Sequence, residues 1–166
     1  MEEIRGKVWL FPDNIDTDLI VPGQYLDAPV QEIMQHVFES IRPDFAKTIS
    51  KNDIIIAGVN FGCGSSRENA ASVLKELGIG CVIAESFGRI FFRNAIAIGL
   101  PVLTCRDVAQ NFSEGDLATV EVKNAAINNT TKSISLTGNC LSEEMINILE
   151  KGGILEYLAD KGDESV

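Results

Sequence analysis

The residues best suited to chemistry lie in one short stretch, Gly62-Cys63-Gly64-Ser65-Ser66-Arg67-Glu68, where a strand-like run gives way to a helix-like pattern. Two glycines, two hydroxyls and a cation meet there at a helix start. Free N–H groups and the helix dipole, roughly half a positive charge, make such a start attractive to anions. Arg67 adds a planar fork for a carboxylate, and the glycines let a ligand approach the backbone closely. A structural reading fits as well, because Ser65-x-x-Glu68 matches a capping box in which the serine caps the helix and the glutamate reaches back. The stretch is not a P-loop, since no Lys follows the glycines, nor a dinucleotide fingerprint, since the third glycine is missing.

Other reactive groups carry less. Cys63 adjoins Ser65, but a thiol nucleophile needs a base, and the one histidine, His36, falls in a separate helical pattern. Asp13, Asp16 and Asp18 resemble the start of a metal loop without the closing Glu of an EF-hand. The four cysteines, Cys63, Cys81, Cys105 and Cys140, have no C-x-x-C spacing, so the chain is expected to build no zinc or iron–sulfur site of its own. Arg89 and Arg93 share a helical face that suits a partner subunit, the mouth of a site or solvent equally.

The elements that must position these residues alternate. Lys7 to Phe11 reads as a first strand, followed by a long polar loop from Pro12. Val30, Ile33, Met34, Val37, Phe38 and Ile41 follow helical spacing and predict a helix over 30–41, with His36 off its stripe. Asp53 to Val59 is a β-branched run that leads into the glycine-rich stretch. A helix follows through Ala70, Ala71, Leu74 and Leu77 to a stop at Gly78. Cys81 to Ala84 predicts a strand, Phe87 to Ile98 a helix, Pro101 to Thr104 a strand, and Leu117 to Val122 with Ser133 to Leu136 a β pair. Leu141, Met145, Ile148 and Leu149 mark a last helix ended by Gly152 and Gly153, and the polar end from Asp160 is expected to fray. This mixture predicts a three-layer α/β domain over 1–166, neither a bundle nor a sandwich.

Composition narrows the function classes. A chain of 166 residues, 45% of them hydrophobic, can bury roughly 70% of its unfolded surface and needs no disulfides. Fourteen Lys+Arg against 24 Asp+Glu leave a net charge of −10, which repels nucleic-acid phosphate and anionic lipid at long range. The longest apolar run, Ala95 to Leu103, is far short of the ~20 residues of a membrane span. The start, MEEIRGKVWLF, carries acids where a secretory signal carries positive charge, so a cytoplasmic protein is expected.

Three motifs in order, DNIDTDLIVP, NFGCGSSRENAA and ESFGRIFFRNAIAIGLPVL, resemble the small subunit of isopropylmalate dehydratase, in the aconitase superfamily. The resemblance runs from Gly6 to at least Val122. It implies a swivelling β/β/α domain like the C-terminal, fourth domain of aconitase. Such a domain closes over a 4Fe–4S cluster held by a separate large subunit, in a heterodimer or heterotetramer, with no cofactor on this chain. The implied reaction dehydrates a small hydroxy-dicarboxylate and rehydrates the enoate in the other orientation, moving a hydroxyl to the neighbouring carbon.

Residue by residue, the resemblance makes Ser65 the catalytic base, an alkoxide that takes a proton from the carbon beside a carboxylate. Gly64, Ser66 and Arg67 then contact substrate carboxylate, and Asp16 and Thr17 border the site. The segment Tyr25-Leu26-Asp27-Ala28 matches a loop that distinguishes substrates. An arginine after Tyr-Leu accompanies the extra carboxylate of homocitrate, and apolar residues accompany isopropylmalate, so Asp27 departs from both. It either repels a third carboxylate or turns away to cap a helix near Pro29. Interconversion of 2- and 3-isopropylmalate, a step of leucine synthesis, is the leading expectation. Dimethylmalate and methylmalate/citraconate are the alternatives, and homocitrate is disfavoured. A non-catalytic anion-binding module is the rival from another class, and an RNA-binding role conflicts with the charge.

Overall fold

In the computed structural model, which describes residues 1–65 and 67–164, one strand serves two half-sheets. The second half of Ile4–Phe11 (β1), from Val8 on, pairs in parallel with Ile54–Ala57 (β2). Beyond β2 lie Cys81–Ala84 (β3) and Val102–Thr104 (β4), also parallel. The first half of β1, Ile4 to Lys7, pairs antiparallel with Leu117–Glu121 (β5). Ala126–Asn129 (β6) and Ile134–Thr137 (β7) extend that side as a meander, giving the order β4-β3-β2-β1-β5-β6-β7. Lending its two halves to different neighbours, β1 curls the sheet into two layers, and the helices form the third, the β/β/α arrangement.

Burial follows the pairing. Every residue of β2 and β3 is buried, as parallel strands covered on both faces require, whereas β5 alternates buried and exposed. Four short or medium helices lie in the first half of the chain: Thr17–Ile20 (α1), Val30–Ile33 (α2), Phe45–Thr48 (α3) and Glu68–Glu76 (α4). Arg89–Ile98 (α5), Glu143–Lys151 (α6) and Ile154–Glu164 (α7) follow. α4 and α5 are the crossovers from β2 to β3 and from β3 to β4, and α6 and α7 pack on α5. Among the described residues no helix is long and apolar enough to cross a membrane.

Three expectations need correction. The stripe over 30–41 is not one helix: α2 ends at Ile33, a single 3-10 turn covers Met34–His36, and Phe38 takes a φ of 58°. The Phe38 N–H bonds the Ile20 carbonyl at 3.2 Å, and its buried ring lies 4.3 Å from Phe11 and 4.9 Å from Phe45. An aromatic cluster has overridden helical spacing. The proposed β pair is likewise separated by β6, which lies between β5 and β7. After Gly152 ends α6 the chain restarts as α7, so the end from Asp160 is helical as far as Glu164, and the last two residues lie outside the described ones.

Candidate active site

Because β1, β2 and β3 run in parallel, the loops that leave them emerge at one edge, the usual place for a site in an α/β sheet. These loops are laced together. Asn14 N–H bonds the Val59 carbonyl at 2.8 Å, Gly62 N–H the Ile15 carbonyl at 2.6 Å, and Thr17 N–H the Cys63 carbonyl at 2.9 Å. Phe61 N–H reaches the Ser86 carbonyl at 3.0 Å, and Ser86 Oγ accepts from Asn60 N–H at 2.8 Å. The segments DNIDTD and NFGC are therefore neighbours, as the parallel bridge Asp16–Cys63 confirms. Gly62 has a φ of 77°, and a Cβ there would stand 2.3 Å from the Phe91 ring. Gly64 has a φ of 100° but only ordinary contacts around its missing Cβ, so it is required by conformation, not by space.

Ser65 is exposed on this turn, and its Oγ lies 3.2 Å from the Oγ1 of Thr17. Thr17 is 2% exposed, and its hydroxyl also reaches the Ser65 carbonyl at 3.2 Å. A buried hydroxyl held there can donate to a negatively charged Ser65 oxygen. The capping-box reading fails: α4 begins at Glu68 with Arg67 at its N-cap position, and no side chain caps it. Among the described residues, no side-chain oxygen is recorded capping the start of α4. Asp16 does cap a helix, accepting from Leu19 N–H at 2.8 Å at the start of α1.

The Arg67 guanidinium is mostly buried, with 18% of its side chain exposed. Its Nη1 donates to the Val21 carbonyl at 3.1 Å, and its Nη2 pairs with Asp18 Oδ1 at 2.7 Å. Two contacts fix the fork and leave other donors of the guanidinium for a ligand. Ser66 lies outside the described residues, so its expected carboxylate contact has no geometry here.

The Tyr25–Ala28 turn lies against the same helix start. Tyr25 stacks on His36 with centroids 3.8 Å apart, and His36 Nδ1 lies 2.9 Å from Glu39 Oε1. The Leu26 carbonyl accepts from Asn69 Nδ2 at 3.1 Å. Ala28 packs against the core, while Asp27 is exposed. Asp27 is not a cap, because α2 is preceded by Pro29 and has no side-chain cap.

Among the described residues no three His, Cys, Asp or Glu side chains are grouped to hold a metal ion, and the residues present do not fit an iron–sulfur cluster. Burial pushes the Cys81 thiol far up, and burial with the charges of Asp107 and Glu85 pushes Cys105 up. Both are poor ligands and poor nucleophiles. Asp13 accepts from Val59 N–H at 2.8 Å, so the three acids of the loop serve three separate tasks and form no metal loop. His36 is engaged with Tyr25 and Glu39, leaving Cys63 without a base. Arg89 and Arg93 are exposed on α5.

Sequence reasoning missed Asp18, Asn69 and Ser86 as parts of this site. Asp18 was weighed only as a metal ligand, and an acid next to Thr17 facing a lone Arg was the available signal. Nothing in the spacing pointed to Asn69 or Ser86.

Residues 39–107 match the aconitase C-terminal domain, a span that includes the Ser65 turn and α5. The isopropylmalate/citramalate isomerase small subunit of Methanocaldococcus jannaschii is 48% identical over 98% of this chain and 97% of its own. A 3-isopropylmalate dehydratase small subunit from Methanosarcina mazei is 46% identical over 93% and 95%. A homoaconitase small subunit from Methanothermobacter thermautotrophicus is 46% identical over 93% and 89%. The crystal structure of 3-isopropylmalate dehydratase from Methanocaldococcus jannaschii superposes with a TM-score of 0.93 at 36% identity, covering 99% of this chain and 98% of that one. With near-complete coverage on both sides, this chain belongs to the 3-isopropylmalate dehydratase small-subunit family of the aconitase superfamily.

Proposed function

We propose that this chain supplies the base and the carboxylate grip for isomerising 2-isopropylmalate to 3-isopropylmalate, as one swivelling domain of a cytoplasmic two-subunit hydro-lyase. The observation that carries this reading is the convergence of Thr17, Ser65 and Arg67, from loops after two different strands, on one exposed turn. Arg67, with Ser66 and the Gly64 backbone, holds a substrate carboxylate. Ser65 Oγ takes the proton from the carbon beside that carboxylate and later returns one to the neighbouring carbon.

Serine is a very weak base, so its ionised form must be stabilised where it stands. The Thr17 hydroxyl, 3.2 Å from Ser65 Oγ and also in reach of the Ser65 carbonyl, can turn its one proton to the ionised oxygen, and the start of α4 and the Arg67 charge favour negative charge beside it. Closure of a partner subunit would exclude water and strengthen each of these terms. Departure of the hydroxyl requires a Lewis acid, which a 4Fe–4S cluster on the large subunit would supply; the chain's own residues bind, orient and move the proton.

Relatives named as an isopropylmalate/citramalate isomerase, a 3-isopropylmalate dehydratase and a homoaconitase match this chain at 48%, 46% and 46%, so overall identity does not choose the substrate. Asp27 does part of that work. Exposed and uncommitted to a helix cap, it repels a third carboxylate, which disfavours homocitrate. The same acid in place of an apolar residue favours, as a second reading, a smaller methylated malate.

The test is an anaerobic assay of this subunit with a reconstituted large subunit on isopropylmalate, dimethylmalate, methylmalate and homocitrate, followed by enoate absorbance. Turnover led by isopropylmalate is expected, with none from the lone chain. Preference for methylmalate would select the second reading, and turnover by the lone chain would refute the two-subunit mechanism.

A further inference from the structure

Asn69 stands in the first turn of α4, two residues past Arg67, and makes a contact that the proton transfer does not require. Its Nδ2 donates to the Leu26 carbonyl at 3.1 Å. Leu26 closes the 3-10 turn Gly23–Tyr25, with its N–H on the Gly23 carbonyl at 3.3 Å, and Ala28 N–H bonds the Tyr25 carbonyl at 3.0 Å. The turn is tied on its other side by the stack of Tyr25 on His36. Among the described residues, Asn69 is thus the side chain that ties the helix behind Arg67 to the Leu26 backbone.

The remaining half of the Asn69 amide is unusual. Its Oδ1 is buried and has no hydrogen-bond partner among the described residues. A buried acceptor left bare carries a desolvation penalty that an apolar side chain would avoid. The amide is therefore poorly explained by stability and well explained by its one donor contact.

We infer that Asn69 is a positioning residue for substrate choice. By fixing the Leu26 carbonyl to the first turn of α4, it sets the gap between the Tyr25–Ala28 turn and the Ser65–Arg67 turn, and so the size of the substituent that the hydroxy diacid can carry. The inference rests on the proposed reading of these two turns as walls of one site.

Asn69→Asp keeps the size, removes the donor and sets a carboxylate against the Leu26 carbonyl; Asn69→Gln restores a donor on a longer stem. In the reconstituted complex, Asn69→Asp should change the ratio of kcat/KM for isopropylmalate over methylmalate by about fivefold, mainly through KM, as expected for one lost hydrogen bond. Asn69→Gln should recover at least part of that change. In the lone subunit, amide exchange at residues 24–28 should accelerate by a similar factor while β2 and β3 stay unchanged. An equal loss on both substrates, or unaltered exchange at 24–28, would overturn the inference. If Asn69→Asp does not fold, Asn69→Ala takes its place, and failure of both to fold would show a structural role and overturn it as well. A wild-type complex that turns over none of the diacids refutes the catalytic proposal instead, and the exchange measurement still decides whether Asn69 holds the turn.

Discussion

Two asparagines separate the two halves of this molecule. Asn129, 1% exposed at the end of β6, uses its whole amide: Nδ2 donates to the Asn111 carbonyl at 2.9 Å and to Asp116 Oδ2 at 2.7 Å, and Oδ1 accepts from Lys132 N–H at 3.0 Å. Asn69, at the start of α4, has one donor in use and a buried oxygen with no partner among the described residues. The asparagine that holds the meander together is saturated, and the one behind the turn keeps hydrogen-bonding capacity in hand. A binding site needs that spare capacity, and its cost in stability has to be met elsewhere in the fold.

The sharpest way to break this comparison is Ser65→Ala. If the turn serves chemistry, turnover of the assembled complex should fall roughly a thousandfold, the scale of losing a general base. The melting temperature of the subunit should stay unchanged, because Ser65 is exposed. A large drop in melting temperature would place Ser65 in the saturated, structural class. Unchanged turnover would leave the turn as an anion-binding feature only.

Asp53→Ala should do the reverse. Asp53, 3% exposed at the entry to β2, accepts from the Trp9 indole at 2.9 Å, from Ser50 N–H at 2.9 Å and from Lys7 N–H at 3.3 Å. Its removal strands a buried indole N–H and should cost about 3 kcal/mol. For a chain of this size that lowers the melting temperature by roughly 6 to 12 °C. At a temperature where the variant is folded, turnover should match wild type. Calorimetry paired with the enoate assay separates the two effects.

Which half was legible in the sequence follows from the same contrast. β2 and β3 were readable because strands covered on both faces become continuous β-branched runs, and the end of α4 because Gly78 stops it. β6 was missed because its residues, AINN, carry two asparagines, which are scarce in strands; pairing and the Asn129 amide hold it in place, and neither is a local signal. The 30–41 stripe misled because its apolar residues serve an aromatic cluster, with Phe38 in a left-handed conformation. In the proposed site, residue type and the glycines marked the turn before α4 as a place for an anion, with Arg67 as its fork, while the roles proposed for Ser65 and Thr17 come only from the family resemblance. The pairing of Arg67 with Asp18 and of Asn69 with Leu26 depends on which loops the parallel strands bring together, a fact of register between β1 and β2 that spacing along the chain does not encode.

The smallest expected effect tests the saturated half by pH. Asp116 Oδ2 accepts from Ser113 N–H at 2.8 Å and from Asn129, with Lys132 Nζ at 3.6 Å. The Ser113 N–H, aided by Asn129 and Lys132 and opposed by burial, holds this carboxyl below the ordinary aspartate range. The unfolded chain, with an aspartate near pH 4, therefore takes up the proton first as pH falls. The stabilisation is complete above about pH 5, declines through the unfolded value, and is gone below the folded one. Asp116→Asn removes the titration, so the wild type should exceed the variant by about 1 kcal/mol at pH 7, the scale of one net hydrogen bond, and the gap should close towards pH 3. Urea midpoints of both proteins between pH 7 and pH 3 measure it. A gap that stays constant with pH would show that the Asp116 charge contributes nothing and that shape alone holds the meander, whereas a gap that closes while turnover at pH 7 stays equal would place the charge wholly in the structural half of the molecule.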